Sequence, residues 1–210
     1  MSQEENIKEK EKIIIQAARR RFAHYGFSKV TMDEIAGDVE MGKASLYYYF
    51  PTKEELFKSV ISLEQNEFVK NIEALLRKKI SATEKLNKYV EQRLKYFQVL
   101  LNLGTLSVHS YFDFKSVFRR LFEDFEEQEL LLLNKIINEG KQSGEFSAGL
   151  PEDTTKVFLH ILQGLRLRVI RLFKEQRINE ESYKSLESEM ITATEFFING
   201  IQCREKKTSN

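Results

Sequence analysis

Cysteine occurs once in the 210 residues, at Cys203, so neither an internal disulfide nor a cysteine-only metal cluster is available. Proline occurs twice and tryptophan not at all. So few helix breakers, with glycine held to nine, leave little room for a loop-rich or strand-rich chain. No apolar run approaches the roughly 20 residues that cross a bilayer. The densest, residues 130–133, is short and flanked by charge. The opening MSQEENIKEKEK is charged and lacks the apolar stretch of a secretory signal. Strong charge of one sign is also missing: 33 Lys and Arg stand against 32 Asp and Glu, a net of +1. Any affinity for nucleic acid must therefore come from a local patch. The expectation is a cytoplasmic chain with no membrane segment.

What is present is globular: 41% hydrophobic and 31% charged residues, rich in Leu, Ile, Glu and Lys. The length suits one or two domains with a real core. No strand alternation and no internal repeat stands out.

Residues 31–51, TMDEIAGDVEMGKASLYYYFP, read as two short helices joined by a tight turn. Thr31 followed by Glu34 is a capping-box pattern. Ile35, Ala36 and Val39 give the first helix an apolar face, and small Ala36 lets a second helix cross closely. The turn is Glu40-Met41-Gly42. The second helix covers 43–49 and has ended before Pro51. Leu46 and Phe50 point back into the same core. Lys43, Ala44, Ser45, Tyr47 and Tyr48 are left outward. A cation, small residues, a hydroxyl and two phenols suit an element that enters a DNA groove and holds phosphates.

The other helices follow from apolar spacing. The first runs through about residue 24, with Ile14, Ala18, Phe22 and Tyr25 inward, Arg19 to Arg21 as a solvated face and Gly26 as C-cap. Thr52 with Glu55 opens a helix to about residue 79; Ser81 with Glu84 opens one to about 101. A short helix is expected over 106–112 and a long one over 114–142, then a glycine-marked loop over 143–151. Helices over 152–176 and 180–203 close the chain with wide stripes, Val157, Ile161, Leu165 and Val169 on one, Leu186, Met190, Phe197 and Ile201 on the other. Gly164, mid-helix at about 1 kcal/mol against Ala, is explained if another helix approaches closely. The fold class is all-α, with about nine helices. A three-helix helix-turn-helix domain over 1–52 precedes a larger helical bundle over 53–210.

The run AARRRFAHYGF, the entry T-x-x-E-I-A and the segment KASLYYYFPTKEELF together resemble the TetR family of bacterial transcriptional regulators. Leu46, Tyr47, Phe50 and Lys53 to Leu56 match the family's Leu-Tyr-x-x-Phe run and Lys-Glu-Glu-Leu helix start. The extended run is specific, and it covers about a quarter of the chain. The resemblance implies a dimer with two N-terminal reading heads, dimerised through the last two helices. It further implies a small-molecule effector in the C-terminal bundle and release from a palindromic operator. Glu40 stands where the family usually has glycine. Either the turn is rebuilt around Gly42, or Glu40 takes a positive φ.

Carried over by position, Thr31 would hold a phosphate from a helix N-terminus. Lys43, Ala44 and Ser45 would face base edges, Lys43 toward guanine acceptors. Tyr47, Tyr48 and Lys53 would hold phosphates. Tyr96, Phe97, His109, Phe112, Phe125 and Phe158 are the expected lining of an apolar effector pocket, against the plainer reading that they are core. The expected partners are double-stranded DNA, a small-molecule effector and a second copy of the chain, with no cofactor and no metal. Catalysis is not expected. His24, His109 and His160 fall on separate helices without metal-ligand spacing, and residues 140–144, GKQSG, lack phosphate-loop spacing. The alternative is a helical protein-interaction module with no DNA role.

Overall fold

The computed structural model describes residues 3–103, 119–172 and 180–203. The helix expected over 106–112, the start of the next one at 114–118, residues 173–176 and the tail lie outside these. His109 and Phe112 lie there too. The described residues form eight α-helices and one 3-10 turn: α1 Gln3–Tyr25, the turn Phe27–Lys29, α2 Met32–Asp38, α3 Lys43–Tyr49, α4 Lys53–Leu76, α5 Ala82–Leu103, α6 Arg119–Ser143, α7 Thr154–Leu172 and α8 Glu180–Ile201. The all-α expectation holds. The chain divides into two units, Met1–Glu67 with Tyr96–Arg119, and Phe68–Lys95 with Arg120–Asn210.

In the first unit α1 buries Ile14, Ala17, Ala18 and Phe22 on one stripe. It begins at Gln3, and Tyr25, expected inward, is half exposed. Phe22, Phe27 and Phe57 pack as three rings with centroids 4.7 to 5.6 Å apart. Ile35 and Ala36 of α2, Leu46 and Phe50 around α3, and Leu56 and Val60 of α4 complete this core. Two of the three arginines of α1 are not a solvated face. Arg19 donates to Glu64 and Glu67 on α4, and Arg21 makes a two-point contact with Asp38 at the end of α2, at 2.5 and 2.8 Å. Only Arg20 is exposed. Arg19 and Arg21 therefore pin α1 to α4 and to α2.

The second unit is held by a loop. After α6 the chain turns through Gly144 at φ 78. Glu145 then accepts from the backbone of Ala82 and Thr83 at 2.9 and 3.0 Å, while Ser81 accepts from Glu84 at 3.0 Å. The first three donors of α5 are thus all satisfied. Burial raises the Glu145 carboxyl, but those amide bonds and the Thr83 and Ser143 hydroxyls outweigh it, and the net shift is downward. Phe146 is fully buried, and the backbone on either side of it bonds to the end of α8. Buried Lys85 donates to Leu76 O, closing the end of α4, and to Glu139.

A buried polar trio stands in the same unit. Tyr89 donates to Glu129 at 2.7 Å, and Arg93 pairs with the same carboxylate. Burial pushes the Tyr89 phenol up to about 12 against the pull of Arg93, so it stays a donor at neutral pH.

A Cβ at Gly140 would sit 2.0 Å from the Phe146 ring, whereas one at Gly164 meets nothing within 4 Å. Gly140→Ala is expected to lower stability by about 1–3 kcal/mol in urea unfolding through overpacking, with Gly37→Ala, which also meets nothing, as the tolerated comparison.

Candidate nucleic-acid interface

Thr31 closes the start of α2 with a full capping box. Its amide donates to Glu34 Oε2 at 2.8 Å, its hydroxyl donates to the same oxygen at 2.9 Å, and the Glu34 amide donates back to the hydroxyl at 3.3 Å. The backbone bond from Thr31, then its hydroxyl bond, lowers the Glu34 carboxyl; Arg21 lowers Asp38 in the same way. Both folded pKa values lie below their ordinary values. The stability they lend is in place above the ordinary carboxylate range and is lost as pH falls below it.

The turn keeps its position despite lacking a glycine there. Glu40 adopts φ 53 while Gly42 sits at an ordinary φ of −66. The amide of Met41 bonds to Ala36 O at 2.9 Å and that of Glu40 to Gly37 O at 3.2 Å, the two bonds of a Schellman motif with glutamate at its left-handed position. Of the two ways to accommodate Glu40, the chain takes the strained one, at about 1–2 kcal/mol for a non-glycine residue.

With the turn in place, α3 buries Leu46 completely and leaves Tyr47 38% and Tyr48 74% exposed. Lys43, Ala44 and Ser45 are exposed beside them. Lys43 donates to Asp33 at 2.9 Å and lies 6.0 Å from the Tyr47 ring. That hydrogen bond raises the Lys43 pKa, so it is a cation throughout the physiological range. The pair is exposed on both sides, and a phosphate or base acceptor can replace the carboxylate at little cost.

Lys53 has a second job that its position at a helix start does not announce. Its ammonium donates to the carbonyls of Phe27 and Val30, both at 3.0 Å, and lies 4.4 Å from the Phe27 ring. It fastens the start of α4 to the residues that lead into Thr31. Thr31, Lys43, Ala44, Ser45, Tyr47, Tyr48 and Lys53 therefore all lie on or beside the α2–α3 pair. Sequence reasoning missed Asp33, Arg21 and Asp38, whose separations in the chain carry no local pattern.

The expected pocket residues fare differently. Tyr96 and Phe97 are buried in the first unit. Phe125 packs edge-on against Phe68, and Phe158 stacks on Phe197 at 4.2 Å, in the second. A cleft of about 600 Å³ in that unit runs between α5 and α8, over Val90, Leu94, Ile191 and Ile198 with Glu91, Glu187 and Glu195, and includes none of the expected residues. Among the described residues no three His, Cys, Asp or Glu side chains gather in a way that could hold a metal ion, and no helix is long and apolar enough to cross a membrane.

Comparison with known proteins agrees with this geometry. Residues 14–60 match the family of bacterial regulatory proteins called tetR, and residues 64–203 match the QacR-like C-terminal region. The chain belongs to the TetR family. It is 40% identical to a transcriptional regulator from Cytophaga hutchinsonii whose solved structure aligns with a TM-score of 0.86, over 92% of this chain and 99% of that one. It is 26% identical over 177 residues to the transcriptional regulator QacR of Staphylococcus aureus, 83% of this chain and 90% of that protein. The fatty acid metabolism regulator protein of Bacillus subtilis is 26% identical over 140 residues, 65% of this chain and 71% of that protein. As a TetR-family transcriptional regulator the chain has a DNA-binding N-terminal region and a ligand-binding C-terminal region.

Exchanging Glu40 for Gly and Gly42 for Ser tests the turn. The first change relieves the left-handed strain. The second supplies a hydroxyl where α3 has no side-chain cap. The double variant is expected to unfold about 1 kcal/mol later in urea, with the far-ultraviolet circular dichroism unchanged.

Proposed function

We propose that the chain is a dimeric repressor that holds a palindromic operator with α3 of each protomer and leaves it when a small, largely apolar effector binds. In this reading residues 1–52 form the DNA reader and 53–210 the effector and dimerisation region, acting in the cytoplasm. The observation that carries it is the outward band of α3. Lys43, Ser45, Tyr47 and Tyr48 are exposed together on a helix whose other face is locked into the core by Leu46. A bundle that bound only protein partners would have no use for that combination. Thr31 and Lys53 flank the band, so each can add a phosphate contact once its internal bonds are shared with DNA.

The dimer reading rests on the last two helices. Val157 and Ile161, part of the wide apolar stripe of α7, are 52% and 39% exposed, while Phe158, Leu159 and Leu162 take the core. Phe196 of α8 is 73% exposed. Gly164 lies one turn beyond Ile161 with open space above it. Large exposed apolar side chains beside a bare backbone suit a second copy approaching closely. Repression follows the relatives: one, from Staphylococcus epidermidis, is named a negative transcriptional regulator and is 38% identical over 56 residues. An apolar effector fits the aromatic richness of the chain, 16 Phe and 8 Tyr, and the fatty acid regulator among its relatives. Helix α4 leaves the reader and runs unbroken to Leu76, which gives an effector a rigid element to displace.

Purified protein is expected to protect one palindromic site upstream of a gene it controls, its own first of all, with affinity falling steeply as salt rises. Tyr48→Phe removes one hydroxyl per protomer without touching the core, and should weaken that binding about tenfold or more. No protected site in that DNA, and none after selection from random sequence, overturns the reading. Phe196→Glu is expected to give a monomer in analytical ultracentrifugation and to lose operator binding at concentrations where the parent saturates the site.

A further inference from the structure

The inward stripe of α1 passes through Phe22, Ala18 and Ile14, all fully buried. One turn earlier the same stripe reaches Lys10, which is exposed. Here α1 runs past the edge of its core and alongside α3. Lys10 lines an open cleft of about 360 Å³ together with Met41, Ala44, Ser45, Tyr48 and Tyr49. Three of these, Ala44, Ser45 and Tyr48, belong to the outward band of α3. No carboxylate lines the cleft, and Lys10 pairs with none among the described residues. Its neighbour Lys12 differs, since it points to another face of α1 and is bound to Glu9 at 3.4 Å.

We propose that Lys10 is a DNA-contacting residue, its ammonium holding a backbone phosphate next to the bases that α3 faces, with the Ser45 and Tyr48 hydroxyls on the other walls of the same cleft. The proposal rests on the DNA-reading function and adds to it a contact from the first helix. The chemistry is that of an anion seat: a cation and two hydroxyl donors facing one open space, with no acid to repel a phosphate. A phosphate contact fixes register without reading a base. Lys10 would therefore raise affinity for every sequence alike and leave the choice of operator to Lys43 and its neighbours. The exposed start of α1, with Lys10 in its second turn, acquires a use in this way.

The test is the salt dependence of binding to a duplex recovered by selection from random sequence on the parent protein. Binding is followed by fluorescence anisotropy across a potassium chloride series for the parent, Lys10→Gln, Lys10→Arg and Lys12→Gln. Each neutralised phosphate contributes about 0.9 to the slope of log K against log salt, so two copies of Lys10→Gln should lower the slope by about 1.8. Lys10→Arg keeps the charge and should keep the slope, and Lys12→Gln should match the parent. Thermal unfolding of Lys10→Gln should also match the parent, because the side chain is exposed. A Lys10→Gln slope equal to that of the parent overturns the Lys10 contact and leaves the DNA reading standing. A parent protein with no salt-dependent binding to any duplex overturns both.

Discussion

Two hydrogen bonds from one ammonium set the frame of the reading unit. Lys53 at the start of α4 reaches back to the carbonyls of Phe27 and Val30 and covers the Phe27 ring. Those carbonyls belong to the short segment between α1 and α2, where no helix satisfies them. The same contact therefore ends one problem and begins an arrangement. The segment is held, Thr31 is placed to cap α2, and α4 leaves the unit in a fixed direction relative to α2. Arg19 and Arg21 repeat the principle from α1, one clamping α4 through Glu64 and Glu67, the other clamping α2 through Asp38. The small core of phenylalanines and aliphatics is thus bordered by charged ties from α1 and α4. A side chain that serves as such a tie can also meet DNA only by sharing its donors. For Lys53 the proposed phosphate contact would fall on a nitrogen that already makes two internal bonds.

The turn between α2 and α3 shows what the geometry tolerates. A Schellman ending needs a left-handed residue, and this chain supplies glutamate. The turn does not slide two residues to use Gly42, because sliding would rotate α3 and withdraw Leu46 from the core. Losing a fully buried leucine costs about 2–5 kcal/mol, more than the left-handed strain of one residue. Packing decides the register of α3 and the backbone at Glu40 yields. The outward face of α3 is consequently where an unstrained turn would have put it.

Local patterns made much of this legible. The caps at Thr31, Thr52 and Ser81 are contacts over three residues, and so they can be read from spacing; each hydroxyl accepts from the amide three residues on, and at Thr31 the return bond to Glu34 completes the box. Leu46 and Phe50 inward with Tyr47 and Tyr48 outward follows from helical period alone. Three kinds of feature were not legible. Ties between distant residues, such as Arg21 with Asp38 or Glu145 with the start of α5, leave no periodic trace. The buried trio of Tyr89, Arg93 and Glu129 looks in sequence like any solvent-facing polar residues, since only the fold removes it from water. The wide stripe of α7 is divided: Val169 is buried while Val157 and Ile161 are exposed, and sequence cannot tell a face that meets its own chain from one that stays uncovered within it. Aromatic density had the same weakness. It marked Phe125 and Phe158 correctly as inward, but a ring that packs on another ring and a ring that lines a cavity have identical patterns.

Charge explains how a chain with a net of +1 can present a reading face at all. Asp33, Glu34, Asp38 and Glu40 all lie in or beside α2, close to where phosphates would come. Glu34 is bound into the cap and Asp38 into the Arg21 contact, so each carries its charge opposite a donor. Asp33 is different, because its partner is Lys43, itself a proposed base-reading cation. In the free protein the carboxylate occupies the donor that a guanine or phosphate would take. In the proposed reading, an acceptor brought to Lys43 displaces Asp33 at small cost. Being exposed on both sides, that pair is worth little, so the acid beside α3 leaves the Lys43 cation available to an incoming acceptor.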